Sequence, residues 1–109
     1  MNNELELIAL VRELEELKAR YESLKYKTGW VEYKMVRNKI GAPYYYYYYR
    51  FRDGSGRIHS VYLGSAEAAY MVMRELERAR ELRAKIKALE REIKQLRLKN
   101  SRKKGNVSV

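Results

Sequence analysis

The chain has 109 residues, enough for one domain, and carries 24 Lys and Arg against 14 Asp and Glu, a formal charge of +10. Such an excess points to an anionic partner, with nucleic acid ahead of a membrane surface or an acidic protein. The absence of Cys excludes disulfides, thiolate metal sites and cysteine nucleophiles.

Residues 1–18, MNNELELIALVRELEELK, have no basic leader and no pure apolar run, so they do not read as a signal peptide. No stretch reaches the ~20 apolar residues that span a bilayer, and a cytoplasmic protein of prokaryotic origin is expected. Charged residues are abundant and Cys is missing, as in thermophile proteins.

A first helix is expected over 3–27. Leu7, Leu10, Leu14, Leu17, Tyr21 and Leu24 repeat at spacings of three and four, which makes one apolar seam with charged flanks. Glu16 and Arg20 form a favourable pair one turn apart. Thr28-Gly29 ends the helix, with Gly29 as its C-terminal cap.

From Trp30 the character changes to aromatic and β-branched residues. Three strands are expected, at about 30–37, 44–52 and 57–63, forming an antiparallel meander. Asn38 to Pro43 makes the first loop, and Asp53-Gly54-Ser55-Gly56 is a hairpin turn. A second helix is expected over 65–99, opened by Ser65 as N-cap before Glu67. Val72, Ala79, Leu82, Ile86, Leu89, Ile93 and Leu96 carry a second seam, blemished by Glu75. Residues 100–109 have nothing to bury and read as a disordered basic tail.

The resulting class is α+β. Residues 1–99 make a single domain in which two long helices form an antiparallel coiled coil around an inserted three-stranded sheet. The seams zip within one chain or with a second copy, and a homodimer through helices 3–27 and 65–99 is expected because a two-helix stalk has little core.

The charge is unevenly spread. Residues 1–28 hold six Glu against Arg12, Lys18, Arg20, Lys25 and Lys27. Residues 29–64 hold Lys34, Arg37, Lys39, Arg50, Arg52 and Arg57 against Glu32 and Asp53, and the tail adds Lys99, Arg102, Lys103 and Lys104. The sheet and the C-terminal end therefore supply the basic field.

If the loop holds two or four residues, Arg52 faces Arg57, and Phe51, Arg50, Tyr49, Tyr48 and Tyr47 face Ile58, His59, Ser60, Val61 and Tyr62. Side chains alternate faces with period two. One face is then uncharged: Tyr45, Tyr47, Tyr49, Phe51, Ile58, Ser60 and Tyr62, joined by Val31, Tyr33 and Met35. It should lie on the helix, and most tyrosines should be core. The other face gathers Arg50, Arg52, Arg57 and His59 with Tyr44, Tyr46, Tyr48, Val61 and Leu63, and Lys34 joins it.

Arginines that repel one another across strands would be relieved by phosphates, or would read guanine in a major groove. Tyr46 and Tyr48 would stack on bases of a single strand. The candidate nucleic-acid contacts are Lys34, Lys39, Tyr46, Tyr48, Arg50, Arg52, Arg57, His59, Arg102, Lys103 and Lys104. Cations on exposed strands also serve simply to block edge-to-edge aggregation.

The stretch from Tyr44 to Arg78, YYYYYYRFRDGSGRIHSVYLGSAEAAYMVMRELER, resembles the arm-type DNA-binding domain of tyrosine recombinases. In that family an aromatic strand, a turn with Asp-Gly, a basic strand and an Ala-rich helix follow in order. The resemblance implies a sheet entering the major groove with the helix behind it, and Arg50, Arg52, Arg57 and His59 on the DNA side. It covers about a third of the chain, and the heptad helix before the sheet and the long helix after it depart from the family. The YYYYR…GSGR…YLG string also resembles short uncharacterised proteins of archaeal genomes and mobile elements, which implies no activity.

Nothing spells an enzyme. His59 is the sole histidine, no serine is positioned with it, and Gly54 and Gly56 belong to a hairpin rather than a phosphate loop. No metal, cofactor or small-molecule substrate is expected, and the seams are too narrow for a membrane-surface helix. The sequence therefore predicts a nucleic-acid-binding protein, duplex DNA before RNA, in a regulatory (transcriptional) or architectural role. A coiled-coil scaffold for a protein partner and a single-strand binder are the alternatives.

Overall fold

The computed structural model describes the backbone of residues 3–107 and the side chains of residues 3–101. The elements are α1 (Asn3–Ser23), β1 (Trp30–Arg37), β2 (Pro43–Arg52), β3 (Ile58–Tyr62) and α2 (Ala66–Val107). The fold is α+β, with two helices and one antiparallel sheet of order β1-β2-β3. Among the described residues no helix is long and apolar enough to cross a membrane.

The single domain expected over 1–99 divides into two compact units. One joins residues 1–23 to residues 81–109, and the other is the continuous segment Leu24–Arg80.

In the helical unit, Leu17, Leu82, Leu89, Ile93 and Leu96 are buried, at the seam positions their spacing marks. Lys18 Nζ lies 3.9 Å from Glu90, and the Arg83 guanidinium donates to the Tyr21 hydroxyl at 3.3 Å. Higher numbers on one helix meet lower numbers on the other, so the two segments run antiparallel within the chain.

Both helices end elsewhere than expected. α1 stops at Ser23 rather than Lys27: Ser23 Oγ donates to the Arg20 carbonyl at 2.6 Å, and the amides that follow leave the helix ladder for another acceptor. The N–H groups of Lys25 and Tyr26 both donate to Glu75 Oε1, the latter at 3.0 Å. Glu75, the blemish in the second seam, is therefore the acceptor for the chain leaving α1. α2 does not stop at Lys99 before a disordered tail; its helical backbone runs to Val107. Residues 100–104 contain no proline, and extending an existing helix costs far less than starting one. Residues 108–109 lie outside the described residues.

In the sheet unit, Tyr49, Val72 and Leu76 form the core, with Tyr26, Val31, Phe51 and Leu63 packed against it. α2 begins behind Ser65, whose Oγ accepts from Ala68 N–H at 3.1 Å, the N-cap its sequence predicts. Gly29 is not a helix cap. It has φ +109°, and a Cβ there would lie 2.2 Å from the Arg50 carbonyl oxygen, so this close backbone approach admits only glycine.

The expected β2–β3 register is corrected by one residue. Arg52 pairs with Ile58, Phe51 with His59, Arg50 with Ser60, Tyr49 with Val61 and Tyr48 with Tyr62. The cause is the turn. Asp53 N–H donates to the Arg57 carbonyl at 2.9 Å and Gly56 N–H to the Asp53 carbonyl at 3.0 Å. Gly56 has φ +87°. The loop is thus three residues, 54–56, a turn closed by a left-handed glycine. Both lengths considered from sequence were even, and an odd loop turns β3 over.

Candidate nucleic-acid interface

The register determines which side chains share a face. β1 pairs with β2 so that Trp30, Glu32, Lys34 and Val36 stand opposite Arg50, Tyr48, Tyr46 and Tyr44. With Ile58, Ser60 and Tyr62 from β3, these make the open face of the sheet. The opposite face holds Val31, Tyr49, Phe51 and Leu63, and it is the one that packs on α2 through Val72 and Leu76. It also carries Tyr33, Met35 and Tyr45, which remain exposed.

Five of the sequence-predicted site residues come together on the open face: Lys34, Tyr46, Tyr48, Arg50 and Arg52. Three corrections follow from the turned strand. His59 leaves the cationic group and stacks on Phe51, with ring centroids 5.1 Å apart and planes at 14°. Val61 and Leu63 move to the α2 face, and Ile58, Ser60 and Tyr62 replace them. The facing pair Arg52–Arg57 does not form, so the expected cross-strand repulsion is absent.

Arg57 sits in the turn, where its N–H donates to Asp53 Oδ1 at 3.0 Å. Lys39 lies in the Asn38–Ala42 loop at the other end of the sheet, a loop ordered by Asn38 Oδ1 accepting from Ile40 and Ala42 N–H. Arg102, Lys103 and Lys104 lie on the helical backbone of α2, and their side chains are outside the described residues.

The open face is basic and only partly neutralised. Glu32 receives the Trp30 indole N–H at 2.7 Å, and its other oxygen lies 3.3 Å from Arg50 Nε. Arg52 reaches the Gly56 carbonyl at 3.4 Å, while Lys34 has no ion-pair partner among the described residues. Sequence reasoning missed Glu32, Trp30 and Tyr62 as members of this face. For Tyr62 the signal was present in Gly56, whose position after Asp53-Gly54-Ser55 marks a three-residue loop; Trp30 and Glu32 share the parity of Lys34.

Tyrosines fill the space between the cations. Tyr44, Tyr46 and Tyr62 are exposed, and the Tyr62 ring lies 5.7 Å from Tyr48 and 6.1 Å from Tyr46. The expectation that most tyrosines are core is corrected: among the described residues Tyr49 alone is buried, at 7% exposure. Its hydroxyl donates to the Thr28 carbonyl. Burial, then the neighbouring Tyr26, raises its pKa.

The turn holds its own charges. Asp53 Oδ1 accepts from Ser55 N–H and Ser55 Oγ, at 2.9 and 2.6 Å, and Oδ2 lies 2.6 Å from His59 Nε2. The Ser55 hydroxyl, then His59, holds the Asp53 carboxyl far below the usual carboxylate range. Among the described residues no three His, Asp or Glu side chains are grouped to hold a metal.

Compared with protein-family models, curated proteins and solved structures, the chain gives no match to any of them.

Proposed function

We propose that this protein binds nucleic acid through the open face of its sheet, with duplex DNA as the first target and a regulatory or architectural role. The observation that carries the reading is the interleaving of Lys34, Arg50 and Arg52 with exposed tyrosines on the face α2 leaves uncovered. Cations fix a phosphate backbone, and a narrow sheet enters a major groove. Three antiparallel strands followed by a supporting helix are also the order that the arm-type recombinase resemblance implies. Lys39 and Arg57 stand in the loops at the two ends of the sheet, and Arg102, Lys103 and Lys104 add a second basic segment.

Single-stranded DNA or RNA is the second reading, and the Tyr46–Tyr62–Tyr48 ring cluster favours it. Exposed aromatic rings on a sheet accept unstacked bases, each worth about 1–3 kcal/mol.

Gel shifts with duplex DNA, single-stranded DNA and RNA at two salt concentrations test both. The duplex reading expects tight binding that weakens steeply with salt and is lost in the Arg50→Ala/Arg52→Ala variant. A variant that is folded but binds undiminished removes the sheet from the mechanism. Binding that persists with Tyr46 and Tyr62 replaced by Ala rejects the single-strand reading. Retention of a protein partner without affinity for any nucleic acid would instead support a scaffold built on the helical unit.

A further inference from the structure

β1 is an edge strand of the sheet. Asn38 N–H donates to the Ala42 carbonyl at 2.9 Å, continuing the register in which Arg37 pairs with Pro43. Hydrogen-bonded pairs alternate along an antiparallel ladder, so the even positions of β1 bond towards β2. The odd positions, Val31, Tyr33, Met35 and Arg37, turn their N–H and C=O groups to the open edge. Tyr33 is 69% exposed, and Met35 and Val36 are exposed with it.

The sequence of this edge is self-complementary. If a second copy lies antiparallel with Tyr33 opposite the partner's Tyr33, then Val31 meets the partner's Met35. Glu32 meets the partner's Lys34, and Trp30 meets the partner's Val36. Every position from Trp30 to Val36 meets one of matching chemistry, and each copy contributes both halves of the Glu–Lys pair. The odd positions pair with odd positions, so the outward main-chain groups of Val31, Tyr33 and Met35 all find partners.

Charge also rejects the neighbouring registers. Only even shifts keep outward groups facing outward groups. Sliding one way puts Glu32 opposite Glu32, and sliding the other way puts Lys34 opposite Lys34. Like charges directly opposite are unfavourable, so the pair specifies one register by attraction and excludes two by repulsion. A lone lysine in an edge strand commonly blocks pairing; here Glu32, two residues earlier, converts the block into a selector.

We infer that β1 is a homodimer interface, in which two copies join edge to edge about Tyr33 into one six-stranded antiparallel sheet. Strand addition of this kind draws affinity from the main chain and specificity from alternate side chains. Each open face continues into its partner's, so the cations and tyrosines of two copies lie on one surface related by a two-fold axis. The pairing requires no nucleic acid, and it leaves α1 and α2 paired within each chain.

Sedimentation equilibrium without nucleic acid tests it. The native chain should have twice the mass of one chain. Lys34→Glu should be monomeric, because two Glu then face two Glu, and Glu32→Lys should be monomeric for the converse reason. An equimolar mixture of these two variants should recover the doubled mass, as should the double variant Glu32→Lys/Lys34→Glu. Tyr33→Pro removes an outward N–H, which an edge strand tolerates, and should stay folded by circular dichroism but become monomeric. A native monomer, a dimer that survives Lys34→Glu or Tyr33→Pro, or a mixture that stays monomeric would each overturn the inference.

Discussion

Phe51 stands opposite His59, their rings stacked at 14°, and that pairing takes the only histidine off the face that carries Arg50 and Arg52. On the proposed reading, His59→Ala should leave nucleic-acid affinity within about twofold. Arg52→Ala, one residue along β2 and on the other face, should weaken binding by about 1–3 kcal/mol if the guanidinium reads a base. If it contacts phosphate, the change is a shallower salt dependence. Fluorescence anisotropy titrations at several salt concentrations compare the two variants. An equal loss in both would mean that the target contacts the turn from both sides.

Gly29 carries a stricter demand than any turn glycine in the sheet unit. Its φ of +109° is one that side chains avoid, and an added Cβ would stand 2.2 Å from the Arg50 carbonyl oxygen and 2.9 Å from Tyr49 Cε1. Neither neighbour moves cheaply, since Arg50 lies in the central strand and Tyr49 is the buried ring of the core. Gly29→Ala should therefore lower stability by upwards of about 2 kcal/mol, read from the midpoint of urea denaturation. Gly41→Ala serves as the control. It shares a positive φ of +83°, but its Cβ would meet nothing within 4 Å, so its loss should be the smaller.

The elements were legible in the sequence because local chemistry wrote them. Aromatic runs between Gly29 and Gly64 mark the strands, and Ser65 marks the start of α2. What was not legible depended on parity or on distance. One left-handed residue, Gly56, makes the loop odd, and the shift carries His59, Val61, Leu63, Ile58 and Tyr62 to the faces opposite those expected. The value of Glu75 lay in Lys25 and Tyr26, some fifty residues earlier, which no periodicity reports. Exposed tyrosines read as core in the sequence because strand propensity reflects a pleated surface, whether or not something covers it.

Glu75 offers a direct measure of that long-range cap. Its carboxylate serves two backbone amides, those of Lys25 and Tyr26. Glu75→Ala leaves both donors without their acceptor and should cost about 1–3 kcal/mol, in the range for an abandoned polar group. Glu75→Gln keeps an acceptor oxygen without the charge and should cost less. Amide hydrogen exchange at Lys25 and Tyr26 should rise by a larger factor than in β2 in the alanine variant. Unchanged exchange at both amides would show that Glu75 does not hold this segment in solution.

Asp53 sets the acid limit of the turn. Its carboxyl titrates far below the ordinary aspartate range, first because of the Ser55 hydroxyl and next because of His59. A carboxylate depressed in the folded chain binds fewer protons there than in the unfolded chain. Its contribution is therefore complete above about pH 4, falls as the pH drops below that, and is lost once the folded group itself protonates. Lowering the pH from 7 to 5 should leave this contribution intact, and only stronger acid should remove it. Asp53→Asn removes it at every pH, so the variant should be less stable than the native chain at pH 7 and should approach it in strong acid. Urea midpoints of both chains across the acid range check the convergence, and a carbon-13 titration of the Asp53 carboxyl checks its source. A carboxyl found titrating at 3.8 would remove the turn from the pH dependence altogether.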